Sequence, residues 1–390
     1  MKEKIHLHLE SIDFFIKSFD NKSITINSGL PGIIIFYFHL HEVTKETRHY
    51  DSAIHYLEIL YDQLENDLPD SYLFSSGLAG IGWFFNYIRR FVEIENAFDT
   101  AEFDITFMEV AKNELKRKNY EFISGFSGIL LYILSKENTD IQLLQTFVDD
   151  VHEDIFKLED PISFFEQKDT RHEFPSINFG VSHGMYGFVA VLNKLFARQI
   201  NPKKCEAILR LIINFTFKHK KDFITNGSFF PNRIGKTINQ SNHNRLAWCY
   251  GDLGILTVLY TTSFLLKDIV LQKEVTTMLI HTTHRKDMEV LMMNDVWLCH
   301  GTSGAAHIFQ RLYITTQIDD FKFAANYWYS KTLQQLDRGT PQIKSNHTQI
   351  GSYARKDVTG FLLGYAGLGL SLLSKLQTTT LDWDEMLLMS

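Results

Sequence analysis

Two thiols stand two residues before a glycine in successive motifs of this chain: Cys249 in Trp248-Cys249-Tyr250-Gly251 and Cys299 in Leu298-Cys299-His300-Gly301. An imidazole, His300, follows the second thiol directly, and Ser182-His183-Gly184 carries another imidazole at the offset His300 occupies. Two thiolates and an imidazole are a soft donor set suited to tetrahedral Zn²⁺, and three protein ligands leave a fourth position open, as catalytic rather than structural zinc requires. The matched offsets predict that Cys249, Cys299 and His300 converge at one rim and bind one zinc ion. The plainer reading of a buried cysteine is a small hydrophobe; it is adopted for Cys205, which lies inside an amphipathic segment.

Four more residues lie within reach of that rim by sequence offset. His183 is a candidate general acid or base, since imidazole titrates near neutral pH. Arg245, four residues before Cys249, is suited to an anionic intermediate or a peptide carboxylate, with a surface ion pair as its alternative. Tyr250, beside a metal ligand, either donates a proton or packs. Glu121, four residues before Gly125, is a rim carboxylate whose plain reading is a solvated side chain. Neither a P-loop lysine nor a G-x-G-x-x-G after a strand supports nucleotide binding.

These residues are placed by a repeat. Fourteen of the 22 glycines form seven G-x-x-G pairs, beginning at Gly29, Gly77, Gly125, Gly184, Gly251, Gly301 and Gly364. Random placement of as many glycines would give only about one such pair, so the chain is a repeat protein. The first glycines are separated by 48, 48, 59, 67, 50 and 63 residues, enough for one helical hairpin and a connection each. Each pair is followed by a stretch apolar nearly all round, such as IIIFYFHL or IGWFFNYI, which reads as a buried helix. Between them lie amphipathic segments with one charged face, including 51–65, 106–118, 204–219 and 321–336. The expected fold is all-α: a double-layered α/α toroid of seven helical-hairpin repeats, occupying residues 1–390 as a single domain. Segments 159–177, 224–244 and 337–358 hold turn signals and little periodicity and read as long loops, a class of segment that is usually functional.

Composition narrows the functional classes. With 45% hydrophobic and 22% charged residues the chain is an ordinary globular protein, and its net charge of −7 gives no reason to expect nucleic-acid binding. Three cysteines without a CxxC spacing exclude a disulfide scaffold. The first twenty residues are interrupted by charge every few positions, unlike a signal peptide, and no apolar run approaches the ~18 residues of a membrane span. A soluble cytoplasmic protein is the expectation.

The combination of a seven-fold glycine repeat with S-H-G, A-W-C-Y-G and L-C-H-G in the fourth, fifth and sixth repeats resembles the lanthionine synthetase C-like family, over nearly the whole chain from Gly29 to about Leu373. The resemblance implies an α/α toroid with a central zinc held by Cys249, Cys299 and His300, and an active site of His183, Arg245 and Tyr250 with Trp248 beside them. The family's usual aspartate before the third glycine motif falls on Glu121, a departure. The implied activity is cyclisation: zinc activates a peptide cysteine for addition to dehydroalanine or dehydrobutyrine, and a thioether ring closes. The implied partners are a dehydrated precursor peptide with a leader, a separate dehydratase and an exporter, since one toroid leaves no room for a fused dehydratase. Alternatives are addition of glutathione or another small thiol, and a non-catalytic peptide-binding toroid with structural zinc. A toroidal glycosidase would need paired rim carboxylates, and only Glu121 and Asp252 lie near the motifs.

Overall fold

The computed structural model describes residues 1–94, 100–168, 174–236, 244–338 and 358–389. Among these the chain is mostly helical, as the repeat predicts. Seven helices start directly after the first glycine of a pair: α2 (Leu30–Thr44), α4 (Leu78–Ile88), α6 (Phe126–Ser135), α8 (Met185–Ala197), α11 (Asp252–Leu265), α13 (Thr302–Thr316) and α15 (Tyr365–Leu376). These are the buried helices; in α6 every residue from Phe126 to Leu134 is inaccessible. Seven further helices carry one buried face: α1 (Lys2–Lys17), α3 (Thr47–Asn66), α5 (Ala101–Lys116), α7 (Ile141–Phe156), α9 (Pro202–Lys218), α12 (Ile269–Thr282) and α14 (Asp319–Asp337). In α7 the buried set is Leu144, Phe147, Val148, Val151 and Ile155, the spacing of a single apolar stripe.

The two classes begin differently. Several one-faced helices are capped by side chains: Thr100 accepts from Phe103 N–H, Asp140 from Gln142 N–H and Asp268 from Leu271 N–H. No buried helix has a side-chain cap; six start from a glycine in extended backbone, and α11 starts from Gly251 at φ +103°. In four of the seven repeats the loop before the helix closes on itself through a backbone bond spanning seven residues: Leu30 N–H to Ser23, Leu78 N–H to Ser71, Phe126 N–H to Asn119 and Thr302 N–H to Asp295.

Contacts divide the chain into two compact units. The first comprises residues 1–70 and 286–385, where α15 packs against α1, α2 and α13, α2 against α3, and α13 against α14. The second comprises residues 71–285 with the C-terminal residues from Met386 onward. Its inner helices pack in the order α4, α6, α8, α11, while α5, α7 and α9 neighbour one another and α12 covers α11.

Two of the segments read as loops contain more than loop. Residues Pro161–Phe165 form a 3-10 helix, and strands β1 (Glu166–Gln167), β2 (Ser176–Asn178) and β3 (Arg233–Gly235) form an antiparallel sheet with β2 in the middle. Strands of two and three residues are too short for alternation to be legible in sequence, so only the fold reveals them. A four-residue helix, α10 (Phe223–Asn226), precedes β3. Most of the third such segment, 339–357, lies outside the described residues. No helix among the described residues is long and apolar enough to cross a membrane.

Candidate active site

In the second unit the loops that precede the inner helices are stitched together by backbone hydrogen bonds. Ser75 N–H donates to Ile123, Ile123 N–H to Ser182, and Val181 N–H to the carbonyl of Cys249. Successive repeats therefore present equivalent loop positions side by side, and four sequence-predicted residues belong to this row: Glu121, His183, Cys249 and Tyr250. The Glu121 carboxylate, from the loop before α6, meets His183 Nδ1 at 2.6 Å. Its other oxygen accepts from Ser124 Oγ, which fixes the carboxylate's orientation. A carboxylate can only accept, so Nδ1 carries the hydrogen and Nε2 is the ring face that exchanges a proton. The His183 side chain is 45% exposed, so that face is open to a reactant. Glu121 is thus an orienting partner of His183 rather than a merely solvated rim carboxylate.

Asn178, in the buried middle strand β2, was not singled out from sequence. Its Nδ2 donates to the His183 carbonyl at 2.8 Å and to the Tyr250 hydroxyl at 3.2 Å, while its Oδ1 accepts from Gly180 N–H at 2.9 Å. Gly180 was missed as well: a β-carbon there would lie 2.6 Å from the Cys249 carbonyl oxygen and 3.0 Å from the Tyr250 ring. Only a residue without a side chain lets the fourth and fifth loops come this close.

The signal that would have found Asn178 is its register. Six residues before the first glycine stand Ser23, Ser71, Asn119, Asn178, Arg245, Asp295 and Val358. Ser71, Asn178 and Asp295 use their side-chain oxygen to accept from the N–H two residues on, closing the loop. The fifth repeat puts Arg245 at this position. Its guanidinium has no hydrogen-bond or ion-pair partner among the described residues, whereas its carbonyl oxygen presses on Gly251. Gly251 has φ +103°, and a β-carbon on it would lie 1.8 Å from that oxygen.

Trp248 is buried, and its indole N–H donates to the Leu387 carbonyl at 2.8 Å, so the C-terminal residues brace the segment that carries Cys249. Asp252, just after Gly251, is fully buried and accepts from Phe229 N–H, Phe230 N–H, Asn244 Nδ2 and Arg285 Nη1. That saturated carboxylate anchors the approach to β3 and is not an available rim acid, so it cannot pair with Glu121 as the two carboxylates a glycosidase needs. Cys205 is fully buried in α9, donates from Sγ to the Ile200 carbonyl, and is pushed up to about 12 by burial. It is a core residue.

In the first unit, the loop before α13 carries Cys299 and His300. Cys299 N–H donates to the Leu362 carbonyl, and Phe361 and Leu362 N–H donate to Asn27, the same loop-to-loop stitching seen in the second unit. His300 Nε2 is 3.5 Å from Asp295 Oδ2. Cys299 and His300 are both half-buried, while Cys249 in its own unit is 7% exposed. Chemically, two thiols and an imidazole fit zinc better than a hard cation such as Mg²⁺ or Ca²⁺. A second acidic group in the first unit, Glu10 and Glu46 near His49, is already bridged by Arg48, whose guanidinium lies 2.7 Å from Glu10 and 2.6 Å from Glu46.

Comparison with known proteins agrees with the motifs. Residues 20–388 match the family model described as lanthionine synthetase C-like protein. The nisin biosynthesis protein NisC of Lactococcus lactis subsp. lactis is 25% identical over 380 residues, covering 90% of this chain and 85% of that protein. A solved structure of nisin cyclase superposes with a TM-score of 0.75 at 19% identity, covering 100% of this chain and 97% of the other, which establishes a shared fold. On the family match over nearly its whole length, the chain belongs to the lanthionine synthetase C-like family.

Proposed function

We propose that this protein is a zinc-dependent lanthionine cyclase that closes thioether rings in a dehydrated precursor peptide, with Cys249, Cys299 and His300 as ligands to one zinc ion per chain. The observation that carries the reading is the Glu121–His183 pair at 2.6 Å in the loop row that also holds Cys249 and Tyr250, on a chain of this family. The ligand assignment is supported by the equal offsets of the two thiols from their glycines and by the one ligand atom that each of the three residues offers. Zinc, when bound, would supply the substrate cysteine as a thiolate at neutral pH, where a free thiol of pKa ~8.5 is mostly protonated.

The protein's own residues carry the rest. Addition joins sulfur to the β-carbon of the dehydro residue and leaves a proton owed to the α-carbon, with no change of mass. His183 delivers that proton from Nε2, the ring face left open once Glu121 holds Nδ1. Arg245 meets the negative charge on the carbonyl oxygen as the enolate forms, the task of an oxyanion-hole donor. The Tyr250 hydroxyl is a second donor beside it. The single-domain reading of residues 1–390, the precursor peptide with its leader, a separate dehydratase and an exporter as partners, and a cytoplasmic location belong to the same proposal.

Two measurements test it. Purified protein is expected to hold about one zinc per chain, and Cys249→Ala to lose it. A synthetic peptide with one dehydroalanine and one cysteine is expected to lose its alkylatable thiol without change of mass on incubation with the zinc-loaded protein. If the thiol persists while added glutathione is incorporated, the enzyme adds small thiols instead. A zinc-free pure protein would overturn the mechanism.

A further inference from the structure

The Asn178 side chain is bonded to both the His183 and the Tyr250 segments, and we propose that it is a positioning residue for the ring-closing reaction. This rests on the cyclase reading above. Three observations carry it. Its orientation is fixed without ambiguity, because Gly180 N–H needs an acceptor and therefore takes Oδ1, leaving Nδ2 as donor. Both Nδ2 hydrogens are used: one on the His183 backbone carbonyl at 2.8 Å and one on Tyr250 Oη at 3.2 Å. Finally, Asn178 is only 1% exposed in the middle strand β2, paired with Arg233 of β3, so the amide is held by the sheet rather than by solvent.

The consequence for Tyr250 is directional. An oxygen that accepts from the Asn178 amide must turn its own O–H away from that amide. The phenol is thereby kept as a donor toward the reactant instead of being spent on an internal bond. The same amide clamps the His183 main chain, so one side chain sets the relative position of the proton donor and the hydroxyl. Small displacements of such groups cost large factors in rate.

The internal repeat supplies the variants that separate this role from loop closure. At the equivalent position the sixth repeat has Asp295 and the second has Ser71, and each accepts from the N–H two residues on, as Asn178 does. Asn178→Asp therefore keeps the acceptor for Gly180 N–H and has no donor for His183 or Tyr250; it instead accepts a hydrogen bond from the Tyr250 hydroxyl, reversing that bond, and sets an acceptor against the His183 carbonyl. Asn178→Ser also closes the loop but is too short to reach Tyr250.

The expected result with the synthetic dehydroalanine and cysteine peptide is a fall in kcat of about 10- to 100-fold for Asn178→Asp, with KM and zinc content close to those of the parent and a lowered melting temperature from the buried carboxylate. Asn178→Ser should fall similarly, which covers the case in which the aspartate variant folds poorly. The effects of Asn178→Asp and Tyr250→Phe should be less than multiplicative, because both remove one interaction. In protein labelled with ¹³C at the tyrosine ring, the signal that vanishes in Tyr250→Phe should move in Asn178→Asp.

A parent-like kcat in both Asn178 variants, an unmoved Tyr250 signal, or strictly multiplicative effects would overturn the inference. The ring-carbon signal needs no substrate. If the parent protein cyclises nothing, the cyclase reading fails, whereas the coupling of Asn178 to Tyr250 is still decided.

Discussion

Glu121 is one methylene longer than an aspartate, and its carboxylate reaches His183 Nδ1 at 2.6 Å while Ser124 holds its second oxygen. The longer side chain therefore still meets its imidazole partner. Replacement of His183 by Asn removes the proton donor but no proposed zinc ligand. His183→Asn should retain one zinc per chain and lose about 10²- to 10⁴-fold in ring closure, read by metal analysis and thiol alkylation on one preparation. Glu121→Gln keeps an acceptor for Nδ1, so the ring is still oriented and its loss should be smaller, near tenfold; equal losses in the two variants would contradict the orienting role. The cysteines, His183, Arg245 and Tyr250 were legible in the sequence because the repeat gives each a register position. Asn178 sits in the same register but looks like ordinary loop chemistry, and its second use exists only because the fifth loop lies against it.

At the scale of elements, every inner helix starts at a glycine without a side-chain cap, and its start is set by the backbone of the loop before it. The clearest case is Gly251, whose left-handed φ of +103° and crowding by the Arg245 carbonyl leave no space for a side chain. Gly251→Ala combines a left-handed backbone cost of about 1–2 kcal/mol with a steric clash. It should lower stability by roughly 3 kcal/mol or more and displace Arg245, Cys249 and Tyr250 together. Thermal unfolding should show the loss, and zinc content should fall with it. A variant with parent-like stability would show that the fifth loop can open without cost. The inner helices were readable from apolar runs, and α3, α5, α9 and α14 from their stripes, with ends within about five residues of those observed. The β1–β2–β3 sheet was not readable, because its strands are two or three residues long and β2 is held in part by a partner distant in sequence, Ser176 pairing with Gly235.

At the scale of the whole molecule, burial of titratable groups sets the acid limit of stability. Burial lowers the pKa of His49, whose ring nitrogens have no hydrogen-bond partner among the described residues, and the neighbouring Arg48 charge lowers it further. Burial also lowers that of His307, against the opposing pull of the Asp384 carboxylate at 2.7 Å. A histidine depressed in the folded state stays neutral while the unfolded chain takes up a proton below its ordinary value of about 6.5. The stability these groups contribute is therefore full above that pH and is lost as pH falls toward the folded values. The melting temperature should decline between pH 7 and pH 5.5, and His49→Phe, which keeps the stacking surface toward Tyr37, should flatten the decline. An unchanged slope in that variant would assign the acid sensitivity elsewhere.

The sequence by itself determined the helical class, the seven repeats, the family and the register of the cysteines and histidines, because glycine pairs and apolar periodicity are local features that survive without a partner. Tertiary structure alone decided that Glu121 and His183 form a pair, that Asp252 is a saturated anchor rather than a rim acid, and that Asn178 ties His183 to Tyr250. The bonded partners in those pairs and networks lie 62, 33 and 72 residues apart in the chain. Hydrogen bonds of about 3 Å between such distant residues depend on how whole loops are stitched together, and no periodicity along the chain encodes that distance.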